Sequence, residues 1–184
     1  MANVKEVVDF VLKQEDSALS GVVTNAPADR GGLTRFGLTA KWHPELVASG
    51  FYQTNRDEAL AIAEEVYSSE YIPHLDLSKI NRTAVAVAIL SFAVVEGAGS
   101  AVMLLQKVLT GMGFPLTQDG SVGPQTLAAI NAADPLQLVM ALVKAQRSFF
   151  QQIVAKDASQ SKWLNGWNNR AIAILTYSQR ALVQ

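Results

Sequence analysis

Glu15 follows Val8 and Val11 by seven and four residues, in register with an apolar stripe that also holds Val4, Val7 and Leu12. A carboxyl on such a stripe is partly withdrawn from water, and burial favours the protonated form of a carboxyl. The general acid of glycoside hydrolysis has that requirement, because it must give a proton to the leaving oxygen. The competing reading is a helix-end glutamate paired with a lysine. Downstream, the stretch from Asn25 to Thr39 contains the pair Gly31-Gly32, which lets a ligand come close to the backbone, bracketed by Asp29 and Thr34. Together these residues make a workable hydrolase layout. The glutamate protonates the leaving oxygen, and the aspartate and threonine hold a water or stabilise the sugar cation from the opposite side. A purely structural hairpin closed by an Asx-turn is the alternative for that stretch.

Other side chains carry weaker signals. Glu96, just before Gly97, is a second candidate carboxylate at a helix junction. Trp163 and Trp167 stand at i and i+4, where they either stack on sugars or pack in the core. Trp42 and Tyr52 are cleft candidates, and Glu64, Glu65 and Glu70 read as a solvated helix face. His43 and His74 each sit beside a proline without a partner pattern. There is no cysteine, hence no thiol nucleophile, disulfide or cysteine metal site. Two histidines are too few for a histidine-built zinc site, so neither a metal nor a cofactor is expected.

These residues need a scaffold, and the periodicity supplies one. An amphipathic helix opens the chain. The turn formers of 16–39 interrupt it, with short strands expected at Val22-Val23-Thr24 and Phe36-Gly37-Leu38. A helix follows from about Asp57 to Tyr71, capped by Thr54 or Asn55 and stopped by Pro73. An apolar run from Ala84 to Val95 lies between Arg82 and Glu96. At 12 residues it is too short for a bilayer span, which takes roughly 20, and it reads as a buried core helix. Gly97-Ala98-Gly99 breaks it. A helix through Leu104–Leu109 comes next, then a loop over 111–124, and helices over 125–131, 135–155 and 168–182. The expected fold is mainly α, with a small hairpin near the site and a helical C-terminal module packed directly on the first: residues 1–98 and 99–184.

In 184 residues, 49% are apolar and 17% charged, the balance of a folded chain and not a disordered one. The net charge of −1 hides an asymmetry. Residues 1–98 carry 8 basic and 13 acidic side chains, whereas 99–184 carry 7 and 3. From Lys144 onward, Lys144, Arg147, Lys156, Lys162, Arg170 and Arg180 face Asp157 alone, a surface suited to an anionic polymer or simply a solvated face. Nucleic acid is not expected as a partner, since the chain as a whole is not basic. No basic, apolar and small-residue pattern opens the chain, so Sec-type export is not expected.

Glu15 followed by Asp29-Arg30-Gly31-Gly32-Leu33-Thr34-Arg35-Phe36-Gly37-Leu38-Thr39 resembles the signature of glycoside hydrolase family 108, phage endolysins and related bacterial muramidases of lysozyme-like helical fold. Tyr67 and Tyr71 with Pro73 resemble that family's Tyr-x-x-x-Tyr-Trp stretch. Leu104-Leu105-Gln106, the run from Asp119 to Ile130 and Trp163–Arg170 resemble the peptidoglycan-binding-like domain that usually follows. The chain departs from the pattern after Glu15, where Asp16-Ser17-Ala18 replaces Gly-Gly-Tyr. It departs again at Ser91 and Val95, where the family more often has aspartate and asparagine. The resemblance implies hydrolysis of the β-1,4 bond between N-acetylmuramic acid and N-acetylglucosamine, with Glu15 as general acid and Asp29 and Thr34 as its partners. Gly31, Gly32, Arg35, Tyr67, Tyr71 and Glu96 are the expected substrate contacts. It further implies a monomeric endolysin that waits in the host cytoplasm and then degrades the wall, with peptidoglycan as partner and no cofactor. A lytic transglycosylase and a non-catalytic wall-binding or secretion-accessory protein are the rival functions.

Overall fold

The first helix, α1 (Val4–Glu15), begins where the Asn3 side chain accepts a hydrogen bond from the Glu6 amide. It buries Val7, Val8, Val11 and Leu12 and ends at Glu15. Asp16 then closes a turn, its Oδ2 accepting from the Gly21 amide at 2.7 Å and the Ser20 hydroxyl at 2.9 Å. This computed structural model describes residues 1–25 and 32–182.

A two-stranded antiparallel hairpin follows, β1 (Thr34–Arg35) and β2 (Leu38–Thr39), with Thr34 opposite Thr39 and Arg35 opposite Leu38. Phe36 and Gly37 form the two-residue turn, with φ of 50° and 79°. Positive φ at both turn residues matches the right-handed twist of the flanking strands. Phe36-Gly37-Leu38 is therefore mostly turn, and the strand expected there lies on either side of it. Of the other expected strand only Thr24 pairs, in a single bridge to Thr34.

Helix α2 (Pro44–Ala48) has no counterpart in the sequence reading; Pro44 starts it, where a missing N–H is harmless. Helix α3 (Arg56–Val66) is capped by Asn55, which accepts from the Glu58 amide at 3.0 Å. The chain does not stop at Pro73. It passes through a π-helical turn at Tyr67–Tyr71 into α4 (Ile72–His74).

Helix α5 (Thr83–Glu96) is the axis of the molecule. Every residue from Ala84 to Ala93 is buried, as expected for a helix apolar on all faces. Burying side chains such as Ile89, Leu90 and Phe92 contributes about 1.5–3 kcal/mol each. α5 packs against α1 on one side, and against α6 (Ala98–Gly111), α8 (Pro135–Lys156) and α9 (Leu164–Leu182) on others. Gly97, at φ 84°, makes the break between α5 and α6.

Helix α7 (Pro124–Ala132) follows a loop tied to α6 by one buried side chain, Gln106. The Gln106 amide nitrogen donates to Asp119 Oδ1 at 2.7 Å, the Ser121 carbonyl at 3.0 Å and Thr126 Oγ1 at 3.2 Å; its Oε1 accepts from the Gly120 amide at 3.0 Å. Helix α9 starts earlier than expected, at Leu164 in place of about 168, and stacks Trp167 on Phe150 of α8 with ring centroids 4.3 Å apart. Further along α9, the Tyr177 hydroxyl donates to Glu6 Oε1 on α1 at 2.6 Å. The end of the chain thus returns to its beginning. No single helix among the described residues is long and apolar enough to cross a membrane.

Candidate active site

Glu15, the last residue of α1, is mostly covered, with 18% of its side chain exposed. The hairpin turn lies against it. A Cβ added to Gly37 would come within 2.5 Å of Glu15 Cγ and 2.8 Å of its Cδ, and within 2.7 Å of the Tyr67 hydroxyl oxygen. Only glycine fits there, for want of space as well as for its φ. The fully buried Tyr67 secures the turn by donating its hydroxyl to the Phe36 carbonyl at 3.1 Å. The π-helical turn that carries Tyr67 also projects Tyr71, whose ring lies 5.6 Å from that of Tyr67. Such turns recur at functional sites because they widen a helix locally and re-aim its side chains.

The carboxyl does not stand in an apolar pocket, as the stripe alone implies. Its Oε1 accepts a hydrogen bond from Nη2 of Arg170, on α9, and the two groups form an ion pair. Arg170 is 14% exposed and also leans toward the Ser91 carbonyl, 3.4 Å from Nη1. It therefore does not belong to the solvated basic face in which its sequence position puts it.

Two grooves open beside this pair, one bordered by Gly37 and the other by Arg170. One, of about 680 Å³, is bordered by Gly37, Thr39, Trp42, His43, Glu70, Tyr71 and Glu96, among others. The second, of about 490 Å³, is bordered by Lys13, Gln14, Trp163, Trp167, Asn169 and Arg170. Val95 borders both. In the first groove, half-burial holds the Glu96 carboxyl above its ordinary range, so it keeps its proton to higher pH than a solvated glutamate does. Thr39 Oγ1 is buried there without a hydrogen-bond partner among the described residues. His43, buried, has partners after all: Glu45 Oε1 at 3.1 Å from its Nδ1 and Glu70 Oε2 at 4.0 Å. Trp42 is 71% exposed at the rim.

The expected contacts sort unevenly. Tyr71 and Glu96 border the first groove. Tyr67 lies beneath it, buried, and supports the hairpin turn. Arg35 corrects its expected role as a substrate contact. Its guanidinium is buried and donates to the backbone carbonyls of Gly21 at 2.8 Å, Phe51 at 2.7 Å and Thr54 at 3.0 Å. It ties three loops together. Tyr52 is also core, its hydroxyl donating to the Leu38 carbonyl at 3.3 Å. Thr34 donates to the Gly32 carbonyl at 3.4 Å, and no hydrogen bond joins it to Glu15. Among the described residues nothing approaches within 4 Å of the place where a Cβ on Gly32 would sit, whereas Gly37 lies against Glu15. Asp29 and Gly31 fall outside the described residues. Sequence reasoning missed Arg170 as the partner of Glu15, along with Thr39 and His43 as groove residues. Only the contact across the fold singles out Arg170.

Residues 8–97 match the family model described as "Glycosyl hydrolase 108", and residues 100–172 match the one described as "Predicted Peptidoglycan domain". The solved structure titled "Structure of Brucella abortus SagA" superposes with a TM-score of 0.75, covering 98% of this chain and 96% of that one at 22% sequence identity, a likeness of fold. No curated protein sequence matches the chain. The two family matches support a glycosidase that acts on peptidoglycan. Over residues 8–97 the chain is thus similar to glycosyl hydrolase 108 proteins, and over residues 100–172 to a peptidoglycan domain.

Proposed function

We propose that the chain is a muramidase, hydrolysing the β-1,4 bond between N-acetylmuramic acid and N-acetylglucosamine, with Glu15 as the general acid. The observation that carries this is the seat of Glu15: a sheltered carboxyl lying against Gly37, which borders one groove, and paired with Arg170, which borders the other. A glycan chain running from one groove to the other passes over that carboxyl. Glu15 then gives its proton to the glycosidic oxygen as the bond to the sugar breaks. Asp29 and Thr34 complete the site from the glycine-rich segment, holding the attacking water or facing the developing sugar cation. The division of labour follows the chain, with residues 1–98 as the lysozyme-like module and 99–184 as the wall-binding one. The biological role is that of an endolysin, held in the host cytoplasm until lysis.

Mass spectrometry of soluble products from purified peptidoglycan tests the reaction. Reducing muramic ends are expected. Anhydro-muramic ends mean a lytic transglycosylase, reducing glucosamine ends a glucosaminidase, and no release of products a non-catalytic wall binder. Glu15→Gln tests the assignment of the acid. The amide nearly matches the carboxyl in shape but has no acidic proton to give, and general acid catalysis supplies about 10²–10⁴ in rate. The variant is expected to keep the circular-dichroism spectrum of the wild type and to lose nearly all lytic activity. More than about a tenth of wild-type turnover removes Glu15 from the role and points to Glu96.

A further inference from the structure

An arginine from the end of the chain holds the carboxyl at the end of the first helix. Arg170 and Glu15 are 155 residues apart in sequence. Their pair is neither a solvated surface contact, whose worth is small, nor a sealed core pair. Both side chains are largely covered, yet Arg170 borders the groove of about 490 Å³. Lys13 and Asn169 border the same groove with the indoles of Trp163 and Trp167, and no carboxylate borders it among the described residues. Two cations, two amides (Gln14 and Asn169) and two indoles fit a ligand that combines sugar rings with negative charge.

The pair also obstructs the chemistry assigned to Glu15. An oxygen engaged by a guanidinium is not free to hand a proton to a glycosidic oxygen. A ligand draws Arg170 away, and frees Oε1, only if it binds the displaced guanidinium better than Glu15 does. A second carboxylate is suited to this, since the planar guanidinium fork engages such a group through two parallel hydrogen bonds. A neutral glycan offers it only hydroxyl and acetamide oxygens, which accept weaker hydrogen bonds than a carboxylate does.

We propose that Arg170 exchanges partners, binding Glu15 in the free protein and a carboxylate of the substrate's peptide stem in the complex. The groove beside it is then a subsite for the charged peptide substituent of peptidoglycan, and Arg170 determines specificity for glycan strands that carry one. This inference rests on the glycosidase reading and adds to it a requirement for negative charge beside the cleaved bond. Discrimination of this kind works by leaving the wrong substrate unable to free the acid.

The test uses soluble peptidoglycan strands with free stem carboxylates and the same strands after carbodiimide amidation. Wild-type kcat/KM is expected to favour the free strands by about tenfold or more. Arg170→Gln is expected to bring that ratio close to one, and Arg170→Lys to restore part of it, because a point cation lacks the fork. Binding is measured separately by calorimetry. Glu15→Gln releases Arg170, so it is expected to bind free strands severalfold tighter than the wild type and amidated strands no tighter. The double variant with Arg170→Gln is expected to lose that gain.

An undiminished preference in Arg170→Gln overturns the proposal, as does no preference in the wild type, or a binding gain that survives in the double variant. If Arg170→Gln fails to fold, the Glu15→Gln binding decides, since Arg170 is intact there, and absence of tightening overturns it. If the wild type cleaves neither strand, the hydrolase reading falls, and the calorimetric comparison alone decides whether the groove binds carboxylates.

Discussion

Two glycine turns in this molecule look alike in sequence and do different work. Gly37 and Gly120 both have positive φ, and each sits in a motif-bearing loop beside a polar side chain. At Gly120 that side chain is Gln106, and all its partners (Asp119, Gly120, Ser121 and Thr126) lie within 20 residues of it. The loop closes on itself and leaves the glutamine satisfied. At Gly37 the polar side chain is Glu15, whose partner Arg170 comes from the far end of the chain and borders an open groove. A buried polar group satisfied by its own loop serves the fold. One satisfied from a distance, beside open space, leaves a place where a ligand can intrude.

The sharpest way to break that contrast is to put a side chain on each side of it. Gly37→Ala faces both a φ of 79° and a Cβ only 2.5 Å from Glu15 Cγ, so the carboxyl or the turn must shift. A displacement of about 1 Å at a reacting group costs roughly 10²-fold in rate. Peptidoglycan hydrolysis is expected to fall by about that factor or more, while the far-ultraviolet spectrum stays helical. Retention of half the wild-type turnover means the turn does not position the acid. On the other side, Gln106→Leu removes four hydrogen bonds and leaves Thr126 and the Gly120 amide without that partner. Leaving buried polar groups unsatisfied costs about 1–3 kcal/mol each, and relaxation of the exposed part of the loop keeps the expected total near 2–3 kcal/mol. Urea unfolding reads this loss, and turnover per folded molecule is expected to stay at the wild-type level.

Much of this was legible in the residues. Ala84–Val95 reads as a core helix because it is apolar on every face, and the spacing of Val8, Val11 and Glu15 puts the acid where α1 ends. What escaped depends on contacts between distant segments. Arg170 looks like one more cation of a basic tail until α9 folds back across α5. Arg35 looks like a ligand group in a glycine-rich motif, but three carbonyls from separate loops claim it. Tyr67 and Tyr71 fit a continuing helix, and only the inserted π turn separates a buried support from a groove residue. Gly32 and Gly37 share a motif, and packing alone decides which of them the carboxyl touches.

A smaller effect probes the support under the acid. Tyr67→Phe keeps the ring and removes the hydroxyl that donates to the Phe36 carbonyl. A net hydrogen bond is worth about 0.5–1.5 kcal/mol. Thermal unfolding is expected to register a loss of about 1 kcal/mol, with turnover reduced by less than tenfold, because Gly37 still confines the carboxyl. If stability and rate are both unchanged, the tyrosine is packing alone and does not fix the turn.

The smallest expected effect compares the two carboxyls of the site, one with a cationic partner and one half-buried without one among the described residues. Burial is the cause that lifts Glu96 above the ordinary glutamate value of 4.5. The folded state therefore holds this proton more tightly than the unfolded chain does. That contribution to stability is complete below the ordinary carboxyl range and is lost as pH rises through the lifted value. Glu96→Gln is neutral at every pH and has no such loss. Relative to the wild type, the variant is expected to match at acid pH and to be the more stable at neutral pH. The gain should stay under about 1 kcal/mol, because Glu96 remains partly open to solvent, which screens the charge. Urea unfolding at about pH 3.5 and pH 7.5, with equal slopes required of both proteins, measures it. A difference that is the same at both pH values means Glu96 is not held protonated by burial. Glu96 then loses its claim as the alternative acid.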